Sequence, residues 1–274
     1  MSWDWGSKHL PKLRLGCLPY LNVKPLVYPF EHGQLPEGWD LVYAAPAVLA
    51  EMLLDSRIDL APVSSFACLA NGRLSVVPDI CISSDGSVKS VLMLSKVPFD
   101  RIRTVAADTS SLSGRALLRI VLSELYGLSP EFVPEPPDIG HMLAHHDAAL
   151  IIGNPAMLYD KSGLYVLDLG DAWKRLTGLP AVFAVWAGIY SDEMAFSADV
   201  LRDAKYEGLG KIEEIVQDES RRLGLSVEEC RDYLTNVIRY DLGDREIESL
   251  RIFGRKAFEH GLIEREAEIR FFGG

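Results

Sequence analysis

The stretch Leu13-Arg14-Leu15-Gly16-Cys17-Leu18-Pro19-Tyr20-Leu21-Asn22-Val23-Lys24-Pro25 decides the fold of this chain. Its first six residues are mostly apolar and have the length of a buried β-strand. The turn that follows begins at Pro19, where this strand is predicted to end. Because ligands of open α/β sheets bind just beyond the carboxyl ends of the strands, the turn is a candidate binding segment.

Three more turns repeat this arrangement after other apolar runs. They are Ser83-Ser84-Asp85-Gly86, Thr109-Ser110-Ser111 and Gly153-Asn154-Pro155. Together the turns offer hydroxyls, amides and backbone N–H groups, which suit a small anionic ligand. The sequence has no G-x-S-x-G nucleophile motif and no dinucleotide-binding fingerprint, so a hydrolase or nucleotide enzyme is unsupported.

The predicted elements form two β–α–β series followed by a return strand and helices. Apolar runs predict strands at 13–18, 41–43, 58–63, 74–77, 90–94, 104–107, 131–133, 148–152 and 181–187. Helical patterns begin at Pro46, Ser226 and Asp244. Three more cover residues 115–126, 139–146 and 198–223. Ser113 is the predicted cap of the first of these three, and a break is predicted near 208–210 in the last.

This order predicts an α/β protein with two lobes and a ligand cleft between them. Lobe I would contain residues 1–97 and 179–274, including the C-terminal helices, and lobe II would be the inserted segment 98–178. The chain would cross between the lobes near 95–98 and again near 176–182. Two such crossings would form a hinge beside the cleft.

Composition narrows the class of partner. The 274 residues include 28 basic and 39 acidic side chains, giving a net charge of −11. This charge argues against nucleic acid or an anionic membrane as a partner. The four cysteines are far apart, there is no signal-peptide pattern, and no apolar run approaches the ~20 residues of a membrane span. We therefore expect a soluble cytoplasmic protein with reduced cysteines.

Several motifs resemble the chorismate dehydratases, a family that acts early in the futalosine route to menaquinone. The matching residues are Tyr20-Leu21-Asn22-x-Lys24-Pro25, Ser83-Ser84-Asp85-Gly86-x-Val88-x-Ser90-Val91, Leu150-x-Ile152-Gly153 and Trp173-x-x-x-Thr177-Gly178-Leu179-Pro180-x-Val182-Phe183-Ala184. The resemblance extends in order over about residues 13–263. It implies a two-lobed type II periplasmic-binding-protein-like fold, used by a cytoplasmic hydro-lyase that needs neither a metal nor an organic cofactor.

The resemblance also implies a substrate and a set of site residues. Chorismate, a dicarboxylate, would lose water to give 3-[(1-carboxyvinyl)oxy]benzoate. Asn22 is the predicted catalytic residue, although it could instead only stabilise its turn. The predicted substrate-binding residues are Ser83, Ser84, Ser110, Ser111, Gly153 and Asn154. Since Asn is not a strong base, a carboxylate of the substrate is one candidate for the base.

Two alternative functions stay open. The sister 1,4-dihydroxy-6-naphthoate synthases resemble the chain less, because they carry a catalytic histidine where this chain has Gly153. A non-catalytic cytoplasmic protein that binds a small anion would use the same cleft. The chain departs from the dehydratase pattern at Leu112-Ser113-Gly114, where an arginine is usual, and at Asn154, where an aspartate is usual. Arg115 lies near enough in sequence to compensate for the first change.

Other polar residues are predicted to be structural or exposed. Lys24 and Lys89 are possible carboxylate partners but are more typical of solvated surface, and Asp85 is predicted to fix its own turn. His141 and His145 have the i, i+4 spacing of a zinc pair, yet no third ligand is evident, so no metal site is predicted. The sequence does not indicate an oligomeric state.

Overall fold

The computed structural model describes residues 12–273, apart from the side chain of Glu193. These residues form two five-stranded sheets. The strands are β1 (Arg14–Cys17), β2 (Asp40–Tyr43), β3 (Leu60–Ser64), β4 (Ser75–Ser84), β5 (Val91–Ser95), β6 (Thr104–Asp108), β7 (Glu131–Glu135), β8 (Ala148–Ile152), β9 (Tyr165–Asp168) and β10 (Ala181–Gly188). The predicted α/β fold with two sheets is confirmed.

The first sheet has the strand order β2-β1-β3-β10-β4 and forms the centre of lobe I. Strand β1 is parallel to β2 and to β3, as the first β–α–β series predicts. The return strand β10 lies antiparallel between β3 and β4, so that Val185 pairs with Val63 on one side and Cys81 on the other. Strand β10, from the second half of the chain, therefore completes a sheet whose other four strands come from the first half.

The second sheet, order β7-β6-β8-β5-β9, forms the centre of lobe II. Strand β5 pairs antiparallel with β8 and β9, with Val91 opposite Ile152. The first crossing between the sheets therefore lies between Ser84 and Val91, upstream of the expected position near 95–98. Strand β9 has no counterpart in the predictions, because half of its four residues are exposed and it lacks a long apolar run.

Helices connect and cover the strands. They are α1 (Lys24–Pro29), α2 (Pro46–Leu54), α3 (Ser65–Ala70), α4 (Leu112–Tyr126), α5 (Ile139–His145), α6 (Gly153–Leu158), α7 (Leu169–Thr177), α8 (Ser197–Gly210), α9 (Ile212–Leu223), α10 (Val227–Asp232) and α11 (Asp244–Glu259). The predicted break near 208–210 and the capping box at Ser226 are both confirmed. Helices α1, α3, α6 and α7 were not predicted.

Helix α4 fixes one wall of the cleft. Its buried stripe, which includes Leu117, Leu118 and Val121, packs inward, so its N-terminus is held in place at the end of β6. The helix begins at Leu112, three residues before the predicted start. Within residues 12–273, no helix is both long enough and apolar enough to span a bilayer.

Candidate active site

A cavity of about 70 Å³ lies between the two sheets, at the carboxyl ends of β1, β3, β6 and β8. Both lobes contribute to its wall. The lining residues are Leu18, Tyr20, Asn22, Pro46, Ser64, Ile82, Ser90, Val91, Ser110, Ser111, Leu112, Ser113, Gly114, Ile152, Gly153, Phe183 and Ala184. Four of the seven predicted site residues, Asn22, Ser110, Ser111 and Gly153, are thus brought together.

Two contacts hold the segment that carries Asn22 against lobe II. The ring of Tyr20 lies against Gly153, so closely that a Cβ atom on Gly153 would be 2.8 Å from two ring carbons. The backbone N–H of Leu21 donates a hydrogen bond to Oδ1 of Asn154, 3.1 Å away. Asn154 is therefore not part of the cavity wall, and its side chain instead joins the two lobes.

Asn22 presents an acceptor to the site. Its Oδ1 atom is buried and has no hydrogen-bond partner among the described residues. Burial strongly raises the pKa of Tyr233, and its hydrogen bonds with Ser90 and Asn22 oppose that rise. Tyr233 in turn donates to Oγ of Ser90 at 2.7 Å. Since a buried acceptor without a donor is costly, Asn22 is prepared to receive a hydrogen bond from a ligand.

The N-terminus of α4 supplies the positive end of a helix dipole. Leu112, Ser113 and Gly114, the first three residues of this 15-residue helix, line the cavity. The first N–H groups of a helix have no partner within the helix and favour anions. The cavity can therefore hold an anionic group without a cationic side chain.

Ser113 does not cap α4 as predicted. Instead its Oγ lies 2.6 Å from Oγ of Ser64, donates to the carbonyl of Phe183 at 2.9 Å and accepts from the N–H of Phe66 at 3.2 Å. The Oγ of Ser65 also lies 3.0 Å away, and all four partners belong to lobe I, whereas Ser113 belongs to lobe II. This hydroxyl, which lies in the stretch that departs from the family pattern, therefore links the lobes at the cavity wall.

Asp108 lies directly behind the cavity wall, at the end of β6. Its Oδ1 accepts hydrogen bonds from the N–H and the Oγ of Ser110, at 2.8 and 2.6 Å. Burial raises the pKa of this carboxyl, against the hydrogen bonds from Ser110 and the charge of Arg115. Burial likewise raises the pKa of Tyr20, while a hydrogen bond with Ser110 lowers it.

Ser83 and Ser84, predicted to bind substrate, lie outside the cavity wall. Both are fully buried within β4, which continues to Ser84 instead of ending at a turn. The Ser84 hydroxyl donates to the carbonyl of Gly86 at 2.9 Å, and Ser83 forms a bridge with Arg239. Their hydroxyls are used within lobe I, so the geometry gives no support to a substrate-binding role.

The charged candidates are paired with other residues. Lys24 binds Glu31 at 2.8 Å, and Lys89 binds Asp232 at 2.7 Å. Asp85 accepts from Lys174 and Arg245, which hold the pKa of its carboxyl below the usual value. The rings of His141 and His145 are tilted by 38° with their centroids 4.3 Å apart, and His146 contacts Glu135. None of these residues belongs to the cavity wall.

Several lining residues were not predicted. Ser64 follows a predicted strand, so the rule that selected the other turns also applies to it. Tyr20 and Ser90 lie within the motifs quoted above, but those motifs did not predict them as site residues. Tyr233 lies behind Ser90, 143 positions away in sequence. No local pattern could place Tyr233 there, because the C-terminal helices carry it to the site.

Two lobes with a cavity between them define a protein with a periplasmic-binding-protein-like fold. Solved structures confirm this fold. A protein of Archaeoglobus fulgidus superimposes with a TM-score of 0.75 at 19% identity, covering 93% of this chain and 100% of the other. The periplasmic aliphatic sulphonate binding protein of Escherichia coli gives a TM-score of 0.65 at 19% identity, covering 94% and 91%.

The model of the VitK2_biosynth family, described as menaquinone biosynthesis, matches residues 13–259. A chorismate dehydratase of Thermus thermophilus is 32% identical over 258 residues, covering 87% of this chain and 93% of that protein. One from Campylobacter jejuni is 25% identical over 243 residues, covering 87% and 94%. The chain belongs to this menaquinone biosynthesis family.

Proposed function

We propose that this protein is a cytoplasmic hydro-lyase of the futalosine route, which removes water from chorismate to give 3-[(1-carboxyvinyl)oxy]benzoate. The curated relatives that share most of its length are chorismate dehydratases. The observation that carries the proposal is the chemistry of the cavity wall. Its described lining residues offer hydroxyls, an amide and a helix N-terminus, but no Lys, Arg, His, Asp or Glu. Such a site can bind a carboxylate, but it offers few side chains that could transfer a proton.

The helix N-terminus at Leu112 is the binding place for one substrate carboxylate. Removing the proton from C3 of chorismate shifts negative charge through the ring double bond onto the ring carboxylate. Fixed N–H donors that face this carboxylate would stabilise the charge as it develops. The hydroxyl of Ser111 also lines the cavity and is available to either carboxylate.

Asn22 is proposed to hold the leaving group. Chorismate with both carboxylates ionised has one hydrogen-bond donor, the hydroxyl at C4. The buried Oδ1 of Asn22 is an acceptor that lacks a donor among the described residues. Pairing the two satisfies both groups and fixes the position of the C4–O bond that breaks. The enolpyruvyl carboxylate, which lies next to C3, is the proposed base.

The test is incubation of the purified protein with chorismate, followed by detection of the aromatic product. We expect turnover by the native protein and a loss of about 100-fold in kcat for Asn22→Ala. Asn236→Ala, which removes an exposed asparagine that binds Asp232, is the matched control and should retain full activity.

The outcomes separate the alternative functions. Thermal stabilisation by chorismate without product would support a binding protein. Absence of both would overturn the proposal and direct attention to the substrate of the sister synthase. Full turnover by Asn22→Ala would leave the hydro-lyase activity standing but contradict the role given to Asn22.

A further inference from the structure

A groove of about 160 Å³ lies beside the active-site cavity, along the first two turns of α4. Leu112 lines both spaces and separates them. The larger apolar side chains of the groove wall are Phe66, Phe132, Pro134 and Leu262. Two charged residues, Arg115 and Arg119, also line the groove, whereas neither of them belongs to the cavity wall. The reaction described above assigns no role to this groove.

The two arginines are neighbours whose charges are not neutralised by the protein. Arg115 and Arg119 are four positions apart in α4, so their side chains lie on adjacent turns of one helix face. Within residues 12–273, neither guanidinium forms an ion pair with a carboxylate. Acidic residues outnumber basic ones by 39 to 28 in this chain, so partners for arginine are not scarce. Two unpaired like charges at one groove therefore indicate a place for an anion.

The contacts of both guanidinium groups leave N–H donors for a ligand. Cζ of Arg119 lies 4.1 Å from the centroid of the Phe132 ring, which covers one face of the group and leaves its edges open. Nε of Arg115 donates to the carbonyl of Ser111 at 3.3 Å, and no other hydrogen bond joins this side chain to the described residues. A guanidinium has five N–H donors in a planar fork, which matches the two oxygens of a carboxylate.

The rest of the groove suits an aromatic ring. An apolar cavity of about 150 Å³ can hold a benzene ring, and this groove has a similar volume. Its apolar wall comes from both lobes, with Phe66 and Leu262 from lobe I and Phe132 and Pro134 from lobe II. A ring gains favourable contacts with such side chains, whereas inorganic phosphate would leave them unused. The groove therefore favours a ligand that combines a ring with a carboxylate.

We propose that this groove is a second binding site, which takes a small aromatic carboxylate with its carboxylate on Arg115 and Arg119 and its ring against the apolar wall. The inference is independent of the proposed function, because that function uses the neighbouring cavity. The two sites are nevertheless connected. The backbone N–H of Phe66 donates to Oγ of Ser113, which lines the cavity, at 3.2 Å. A ligand in the groove contacts both lobes beside this hydrogen bond.

The first test is a calorimetric titration of the purified full-length protein with benzoate. Loss of the charge-assisted hydrogen bonds in Arg115→Gln or Arg119→Gln should weaken binding about 10- to 100-fold. Arg255→Gln removes an exposed arginine of α11 that does not line the groove, and this control should bind benzoate as the native protein does. Thermal melting shows whether each variant is folded. No binding by the native protein, or equal affinity in every variant, would overturn the site.

The second test separates the two parts of the ligand. Benzamide keeps the ring without the charge, and acetate keeps the charge without the ring, so each should bind about 10-fold or more weakly than benzoate. Leu262→Ala, which shortens the apolar wall, should weaken benzoate binding and leave acetate binding unchanged. If benzamide or acetate bound as tightly as benzoate, the assignment to an aromatic carboxylate would be wrong.

Two sources could supply the ligand: the product of the proposed reaction, which is itself a substituted benzoate, or another aromatic acid. Titration with that product distinguishes them. Two sites in the native protein and one in Arg119→Gln would identify the product, and one site in both would identify another acid. Failure of the proposed function is a separate outcome, because a protein without chorismate turnover could still bind benzoate through Arg119. Loss of the Arg119 dependence of benzoate binding would overturn the groove site alone.

Discussion

Replacing Gly153 by alanine tests how closely the site depends on the contact between the lobes. Gly153 has a φ of +68°, in the left-handed region, and its added Cβ would meet Cδ1 and Cε1 of Tyr20 at 2.8 Å. Two consequences follow. An L-residue in this conformation costs about 1–2 kcal/mol of stability. The ring of Tyr20 must also retreat by about 1 Å to restore an ordinary carbon–carbon contact of about 3.5–4.0 Å.

Gly163→Ala separates these two effects. Gly163 has a φ of +74°, and no described heavy atom lies within 4 Å of its added Cβ. Both variants should therefore lose the strain energy, which lowers Tm by about 2–8 °C in a chain of this size. Gly153→Ala alone should also displace Tyr20, and a misplacement of about 1 Å near the chemistry can cost about 100-fold.

The assay is kcat/KM for chorismate together with thermal melting, measured for both variants. We expect Gly163→Ala to keep its activity and Gly153→Ala to lose about 10- to 100-fold. Equal activity in the two variants, with equal losses of Tm, would refute the reasoning, because the contact with Tyr20 would then have no effect on the site.

Two further predictions concern buried groups. Ser113→Ala removes the hydroxyl that joins Ser64, Phe66 and Phe183 across the cleft. We therefore expect the free energy of unfolding, measured in urea, to fall by about 1–3 kcal/mol and the KM for chorismate to rise. An unchanged KM would show that these hydrogen bonds do not favour closure of the lobes. Burial raises the pKa of Cys68 to about 12, and we expect no thiol of the native protein to react with a disulfide reagent at about pH 8, whereas unfolding should release all four. The buried cysteines concerned are Cys17, Cys68, Cys81 and Cys230.

The strand-end rule predicted the site where the strand boundary itself was predictable. Strands β1, β6 and β8 end close to where their apolar runs end, so Asn22, Ser110 and Gly153 reach the same edge. The rule failed at Ser83 because the strand boundary was misplaced. Pro78 interrupts the apolar run, so the strand was predicted to end at residue 77, and Ser83 was assigned to a turn beyond it. In the structure, a register shift between β4 and β10 accommodates this region, and the strand continues to Ser84.

The contacts between the lobes were beyond sequence reasoning for a different reason. The local sequence is equally compatible with a Ser113 hydroxyl that caps its own helix and with one that points across a cleft. Which of these occurs depends on what the other lobe presents, and those partners, Ser64 and Phe183, lie 49 and 70 positions away. Local patterns therefore located the polar turns but not the hydrogen bonds between them.

The cavity and the closure of the lobes depend on the same residues. A volume of about 70 Å³ holds a few water molecules, whereas chorismate, a ring with two carboxylate-bearing substituents, needs more room. The lobes must therefore separate to admit it, which breaks the hydrogen bonds of Ser113 and of Asn154 to the opposite lobe. The same separation moves the ring of Tyr20 away from Gly153. The cavity wall is then complete only when the lobes are closed, so that the elimination of water is restricted to a site from which bulk water is excluded.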